Sequence, residues 1–145
     1  MKYFKPNEFS EDIKYAAPSL LFSLNFLRGF IQAPIFPSPA PGALARFNGS
    51  SKSQHYVGDE DHPIRLSTAI DVFIDLPPFE AFVKIIKSKA FNRIGVYTDV
   101  SFHGKHHVMF HIDLKPRELM WYRDIDYVYS THKDFYPNLY KRLCQ

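Results

Sequence analysis

Two short alternating segments carry side chains that the solvent face of a sheet would not select. In residues 107–114 (HVMFHIDL), Val108, Phe110, Ile112 and Leu114 fall on one face of an extended strand, and His107, Met109, His111 and Asp113 on the other. In residues 69–75 (AIDVFID), Ile70, Val72 and Ile74 oppose Ala69, Asp71, Phe73 and Asp75. Such faces usually carry Thr, Lys, Glu or Ser, so imidazoles and carboxylates at alternate positions point to a site. With His55 of SQHYVG, the residues Asp71 and His111 offer two imidazoles and one carboxylate. That set makes a three-ligand zinc site with the fourth position open to water, the arrangement of a catalytic zinc. Zinc brings the pKa of its water to about 7 and polarises a carbonyl, which suits amide hydrolysis near neutral pH. Two histidines and a carboxylate also suit non-haem iron. Taken singly, each of the seven histidines is more readily a surface or hydrogen-bonded residue than a ligand, and spacing by itself does not bring the three together.

The chain that must position these residues has 145 amino acids, 46% hydrophobic and 17% aromatic, enough for one hydrophobic core and too apolar for disorder. We expect a single domain over residues 1–145. A net charge of +3 with both signs interspersed and no Lys/Arg block gives no footprint for nucleic acid. Cys144 is the only cysteine, which excludes an internal disulfide and a thiolate metal cage. The longest apolar stretch, Leu20 to Ile35, is interrupted by Asn25, Arg28 and Gln32, and the first eighteen residues carry Lys2, Lys5, Glu8, Glu11, Asp12 and Lys14. Neither a membrane insertion nor a signal peptide is expected.

Periodicity predicts helices over 7–16, with Ser10 ahead of Glu11 and Asp12, and over 19–32, with Leu20, Leu24, Leu27 and Ile31 inward. Four prolines between Ala33 and Pro41 predict an irregular connector. After the strand at 69–75, Pro77 and Pro78 open a helix with Phe79, Phe82, Val83 and Ile86 inward and a Glu80–Lys84 pair outside. Residues 93–98 predict a strand, 99–106 a polar loop with His103 and His106, and 116–122 a further helix. The aromatic end (Tyr127, Tyr129, Phe135, Tyr136, Tyr140) is expected to pack back on the body.

Ser53, His55 and Gly58, then Ala69 and Asp71, then His111 and Asp113 follow the pattern S-x-H-x-x-G, A-x-D, H-x-D. In that order, and with YFKPNEF (Tyr3 to Phe9), LNFLRG (Leu24 to Gly29) and GVY (Gly95 to Tyr97), the chain resembles the M15 family of zinc peptidases. That family comprises D-alanyl-D-alanine carboxypeptidases and peptidoglycan endopeptidases, many of them phage lysins. The resemblance covers residues 3 to about 125. It implies a small α+β domain with an antiparallel sheet flanked by helices, the M15 peptidase or hedgehog-like zinc fold, with Zn2+ held by His55, Asp71 and His111. Relative to the pattern, residues are inserted within Asp59 to Thr68, either shaping the substrate cleft or forming a solvated loop. Several relatives carry an acidic residue three positions before the second histidine, where this chain has Val108. Asp113 is then the nearest carboxylate by pattern, a candidate general base or an orienter of a ligand imidazole. Arg46, the closest basic residue ahead of SQH, is the candidate oxyanion stabiliser. Ser53 is expected to buttress the His55 loop.

The function implied is a zinc metallopeptidase that cuts peptidoglycan stems or crosslinks by attack of a zinc-bound water, phage-encoded, found in the host cytoplasm or virion and acting on the bacterial cell wall. Its partners are the peptidoglycan peptide and, in a particle, other virion proteins. The competing expectation is a non-catalytic structural or binding protein that retains the fold and the zinc. A third is a zinc hydrolase of a different amide.

Overall fold

Ile70, Val72 and Ile74 do point to one side of a strand, and what covers them is helical. The computed structural model describes residues 1–123, 129–130 and 135–144. Six strands, β1 (Ile35–Pro37), β2 (Ala69–Ile74), β3 (Arg93–Tyr97), β4 (Met109–Asp113), β5 (Leu119–Arg123) and β6 (Tyr129–Ser130), form one sheet in the order β1-β2-β4-β3-β5-β6. Three helices, α1 (Pro18–Ile31), α2 (Pro78–Ser88) and α3 (Phe135–Leu143), join its apolar face in a single α+β core.

Helix α1 starts with Pro18 at its first position, where the missing N–H costs nothing, and stops where Gln32 turns left-handed at φ 56°. Leu20, Leu24, Leu27 and Ile31 are fully buried, each contributing about 1.5–3 kcal/mol over an exposed position. In α2 the Glu80–Lys84 pair forms at 3.0 Å. Its buried face is Ala81, Phe82 and Ile85, with Phe79 and Ile86 at the flanks and Val83 half-buried rather than inward. Leu139 and Leu143 of α3 enter the core, and Tyr140 meets Phe79 edge-on at 5.0 Å, so the C-terminal segment does pack back on the body. Tyr127 lies outside the described residues. No helix among the described residues is long and apolar enough to cross a membrane.

Four expectations are corrected. Residues 7–16 form two 3-10 turns, Pro6–Glu8 and Ile13–Tyr15, because the acidic side chains bind backbone amides instead of lining a helix. Asp12 accepts from Lys14 N–H at 2.9 Å, and Glu11 reaches the distant 42–45 segment. The proline-rich connector contains β1, an edge strand in which Pro37 needs no donor on its open side. Residues 119–123 are β5 and not part of a helix, since pairing with β3 outweighs local propensity. The sheet is mixed rather than antiparallel. The link from β4 passes the end of β3 and sets β5 on its far side, parallel to it.

Gly95 is the residue of β3 that this arrangement cannot change. It lies between His111 on β4 and Trp121 on β5 in register, and a Cβ there would lie 2.5–2.7 Å from the indole. Gly95→Ala is therefore expected to destabilise the fold by about 1–3 kcal/mol. A lowered melting temperature with a shifted emission of Trp121, the single tryptophan, checks it.

Candidate metal centre

The face of the sheet away from the helices is organised in rows, because strand register places side chains side by side. Asp71 pairs with His111, His111 with Gly95, and Gly95 with Trp121. One step towards one end come Ala69, Asp113, Arg93 and Leu119. One step towards the other, Phe36 pairs with Phe73, and Met109 with Tyr97 and then Arg123. The middle row supplies two of the predicted ligands.

His55 arrives from a loop. Arg46 N–H donates to His55 O at 2.7 Å and Val57 N–H to Arg46 O at 2.9 Å, tying segment 42–46 alongside 55–57. Segment 42–46 is fixed in turn by Glu11, whose carboxylate accepts from the N–H groups of Gly42, Leu44 and Ala45 at 2.6, 2.9 and 3.0 Å. Ser53 Oγ accepts the His55 N–H at 3.3 Å, the buttress expected of it. Gly58 turns with φ +99°, a conformation natural to glycine, and a Cβ would press on Ile64.

Three atoms converge. His55 Nε2 lies 2.9 Å from His111 Nδ1 and 3.3 Å from Asp71 Oδ1, and His111 Nδ1 lies 2.9 Å from Asp71 Oδ1. All three residues are buried, and together they could hold a metal ion. The outward nitrogens are already engaged. His55 Nδ1 faces the Leu44 carbonyl at 3.4 Å and His111 Nε2 faces Asp113 Oδ2 at 3.0 Å, both acceptors, so the inward nitrogen of each ring is the one that a metal would take, on losing its proton where it holds one. A tetrahedral ion with bonds of about 2.0–2.1 Å sets its ligands about 3.3 Å apart. The donors fit with a few tenths of an ångström of expansion.

Burial alone would lower the His111 pKa, but its hydrogen bonds to Asp113 and Asp71 raise it from 6.5 to about 9. Burial alone would raise that of Asp71, but hydrogen bonds from His111 and His55 hold it well below the usual carboxylate range. The metal-free cluster thus keeps a proton where a cation would sit.

Asp113 is fully buried behind the His111 ring, also 3.3 Å from Arg93 Nε in ion-pair contact and accepting the Lys115 N–H at 2.9 Å. With the imidazole between its carboxylate and the ligand cluster, it is placed to orient His111. Arg46 stands at the edge, its Nη2 3.9 Å from Asp71 Oδ2, its Nε donating to Gly42 O and its side chain 46% exposed. Val108 belongs to the core. His107 is exposed ahead of β4, and His106 packs on Phe36, Phe73 and Phe102 instead of the cluster. Asp59, Glu60, Asp61 and His62 are exposed. Arg65 from the same segment donates to the carbonyls of Ser51, Ser53 and Tyr56 and so braces the His55 loop.

Three supporting residues escaped the sequence reading. Glu11 looked like a helix-start acid. Arg93 and Trp121, whose indole lies 5.3 Å from both the His111 ring and the Arg93 guanidinium, come together only through the β3–β5 pairing.

Asp113→Asn is expected to weaken zinc binding about 10- to 100-fold, measured by competition with a chelator, with any turnover restored by excess metal. Unchanged affinity with turnover lost at saturating zinc would make Asp113 the base instead. For pH, His111 with its raised pKa stabilises the metal-free fold fully below 6.5 and loses that contribution as pH rises through about 9. Asp71, with its lowered pKa, contributes above 3.8 and loses its contribution only in strong acid. The melting temperature of metal-free protein should therefore fall between pH 6.5 and 9 while the loaded form stays level, and loading at neutral pH should release about one proton, read as a buffer-dependent calorimetric heat.

No protein-family model, no curated protein and no solved structure matches the chain, so the reading of its function rests on the motifs and on this geometry.

Proposed function

We propose that the chain is a zinc-dependent peptidase that hydrolyses peptide bonds in peptidoglycan stems or crosslinks, a phage-type member of the M15 family. The observation that carries this reading is the inward convergence of His55 Nε2, Asp71 Oδ1 and His111 Nδ1, with both outward imidazole nitrogens tied to acceptors. Those three residues would hold the ion, leaving one side for water and substrate. Zinc bound there supplies a readily ionised water and a Lewis acid for the scissile carbonyl. Arg46 presents its guanidinium at the exposed edge beside Asp71, where it stabilises negative charge developing on the carbonyl oxygen. Asp113 holds the His111 ring in its tautomer and orientation. Glu11 keeps Arg46 and the Leu44 carbonyl in place through the amides of segment 42–45.

One observation favours a second reading, a non-catalytic protein that retains the metal. Val108 stands in the core where relatives have an acid, and Asp113 is sealed away from the cleft. The two separate in one experiment, mass spectrometry of soluble fragments released from purified peptidoglycan by the wild-type protein beside His111→Ala. Fragments from wild type alone are expected, and their masses identify the bond cut. No release from several wall chemistries by protein that has bound zinc would overturn the peptidase in favour of the binding protein.

A further inference from the structure

Helix α1 carries a second apolar pattern on the side turned away from the core. Leu20, Leu24, Leu27 and Ile31 are buried, whereas Phe22, Phe26 and Phe30 follow one another at four-residue spacing and are 75%, 48% and 46% exposed. The Phe26 and Phe30 rings stack with centroids 6.3 Å apart, and the row makes a ridge about 12 Å long. Tyr3 widens it. Its ring lies over Gly29, where a Cβ would meet it at 3.4 Å, and Asn25 Oδ1 anchors the segment by accepting the Lys2 and Tyr3 N–H groups at 3.2 and 3.1 Å. The four rings together expose on the order of 400 Å2, a size at which an apolar patch is commonly an interaction site.

We infer that this ridge is the contact between two copies of the chain, paired about a two-fold axis at Phe26. A row at four-residue spacing is the ridge that packs alongside its own kind in the commonest helix crossing. The row also reads the same in both directions about its middle ring. Turned antiparallel, it sets Phe26 against Phe26 of the partner subunit and Phe22 against Phe30 of the partner subunit. An isologous contact brings each residue near the axis against its own copy, so a charge there would repel itself. The only charged residue of α1 is Arg28, two positions on from Phe26 and hence about 160° round the helix, and Lys2 stays at the rim with its Nζ over the Tyr3 ring at 5.0 Å. A lipid surface would instead be met by a helix rich in lysine beside its rings, and α1 has none. With its polar rim the paired ridge buries roughly 1,000 Å2, which suits a weak, concentration-dependent dimer and not an obligate one. Because α1 covers one face of the sheet and the His55–Asp71–His111 cluster lies on the other, both metal centres stay open and point away from the contact. The inference is independent of the peptidase reading.

Sedimentation velocity of the full-length protein, from low micromolar to several hundred micromolar, is expected to show a shift from monomer to dimer. Phe26→Glu sets a carboxylate against its own copy and should weaken association at least about tenfold. Its melting temperature should not change, because the position is half exposed. Phe26→Leu should keep most of the association. The geometry is read by cross-linking in a Cys144→Ser background, which removes the only other thiol. On mild oxidation Phe26→Cys should link to itself, whereas Phe22→Cys and Phe30→Cys should link mainly to each other when mixed. A monomer at every concentration, a dimer that Phe26→Glu leaves intact, or cross-linking without that pattern overturns the inference. Binding of such a monomer to phosphatidylglycerol vesicles, lost in Phe26→Glu, would assign the ridge to a lipid surface instead.

Discussion

The register between β2 and β4 is the constraint on which the rest depends. Side chains alternate, so Asp71 and His111 can face each other only if Ile70, Val72, Phe110 and Ile112 face the helices. A slip of one residue in either strand would bury the ligands among leucines and expose the aliphatics. With several buried side chains each contributing about 1.5–3 kcal/mol, the hydrophobic face fixes the register far more strongly than any polar contact could. The chemistry on one face is positioned by apolar burial on the other.

Burial creates a second requirement. Asp113 is fully buried and Asp71 nearly so, and an uncompensated buried carboxylate is costly enough to unfold a small domain. The cluster meets this with two imidazoles on Asp71, Arg46 at its outer oxygen, and His111 with Arg93 on Asp113. In metal-free protein the protonated His111 ring donates one N–H to each carboxylate, and the Nδ1 proton is the one on the Asp71 side. A divalent cation would take that proton's place and add a charge, which is why metal affinity, protonation and stability are linked through a single ring. Trp121 and Gly95 belong to the same device, since the missing Cβ lets the indole lie against His111 and Arg93.

The parts legible in the sequence are those set by short-range periodicity. Alternation located β2 and β4, helical spacing located α1 and α2, and two of the out-of-place polar residues on those strands, Asp71 and His111, belong to the cluster that could hold a metal. What could not be read depends on distant pairing. LMWYR (Leu119–Arg123) has no alternation to betray a strand and is one only because β3 offers its edge. Pro34 and Pro37 bracket a three-residue edge strand that exists because Phe36 meets Phe73. Glu11 carries no local sign that its partners lie more than thirty residues away. The choice between base and orienter for Asp113 needed the ring geometry of His111, which spacing along one strand does not contain.

The three members of the cluster are held in unequal ways, and the inequality explains why the long exposed segment 59–66 can lie beside the site. Asp71 and His111 are locked by the sheet. His55 sits on a loop that has no sheet to hold it and relies on Glu11, Ser53 and Arg65. Segment 59–66 leaves at Gly58, bridged to Pro63, and returns at Ser67, whose N–H donates to the Tyr15 carbonyl at 2.7 Å. Both ends are pinned before His55 could feel the segment's length, and closure cost rises only slowly with each added residue. Because Arg65 comes from this segment and binds carbonyls on either side of His55, the segment supports the loop it adjoins. Its exposed acidic residues are then free to vary without moving a ligand.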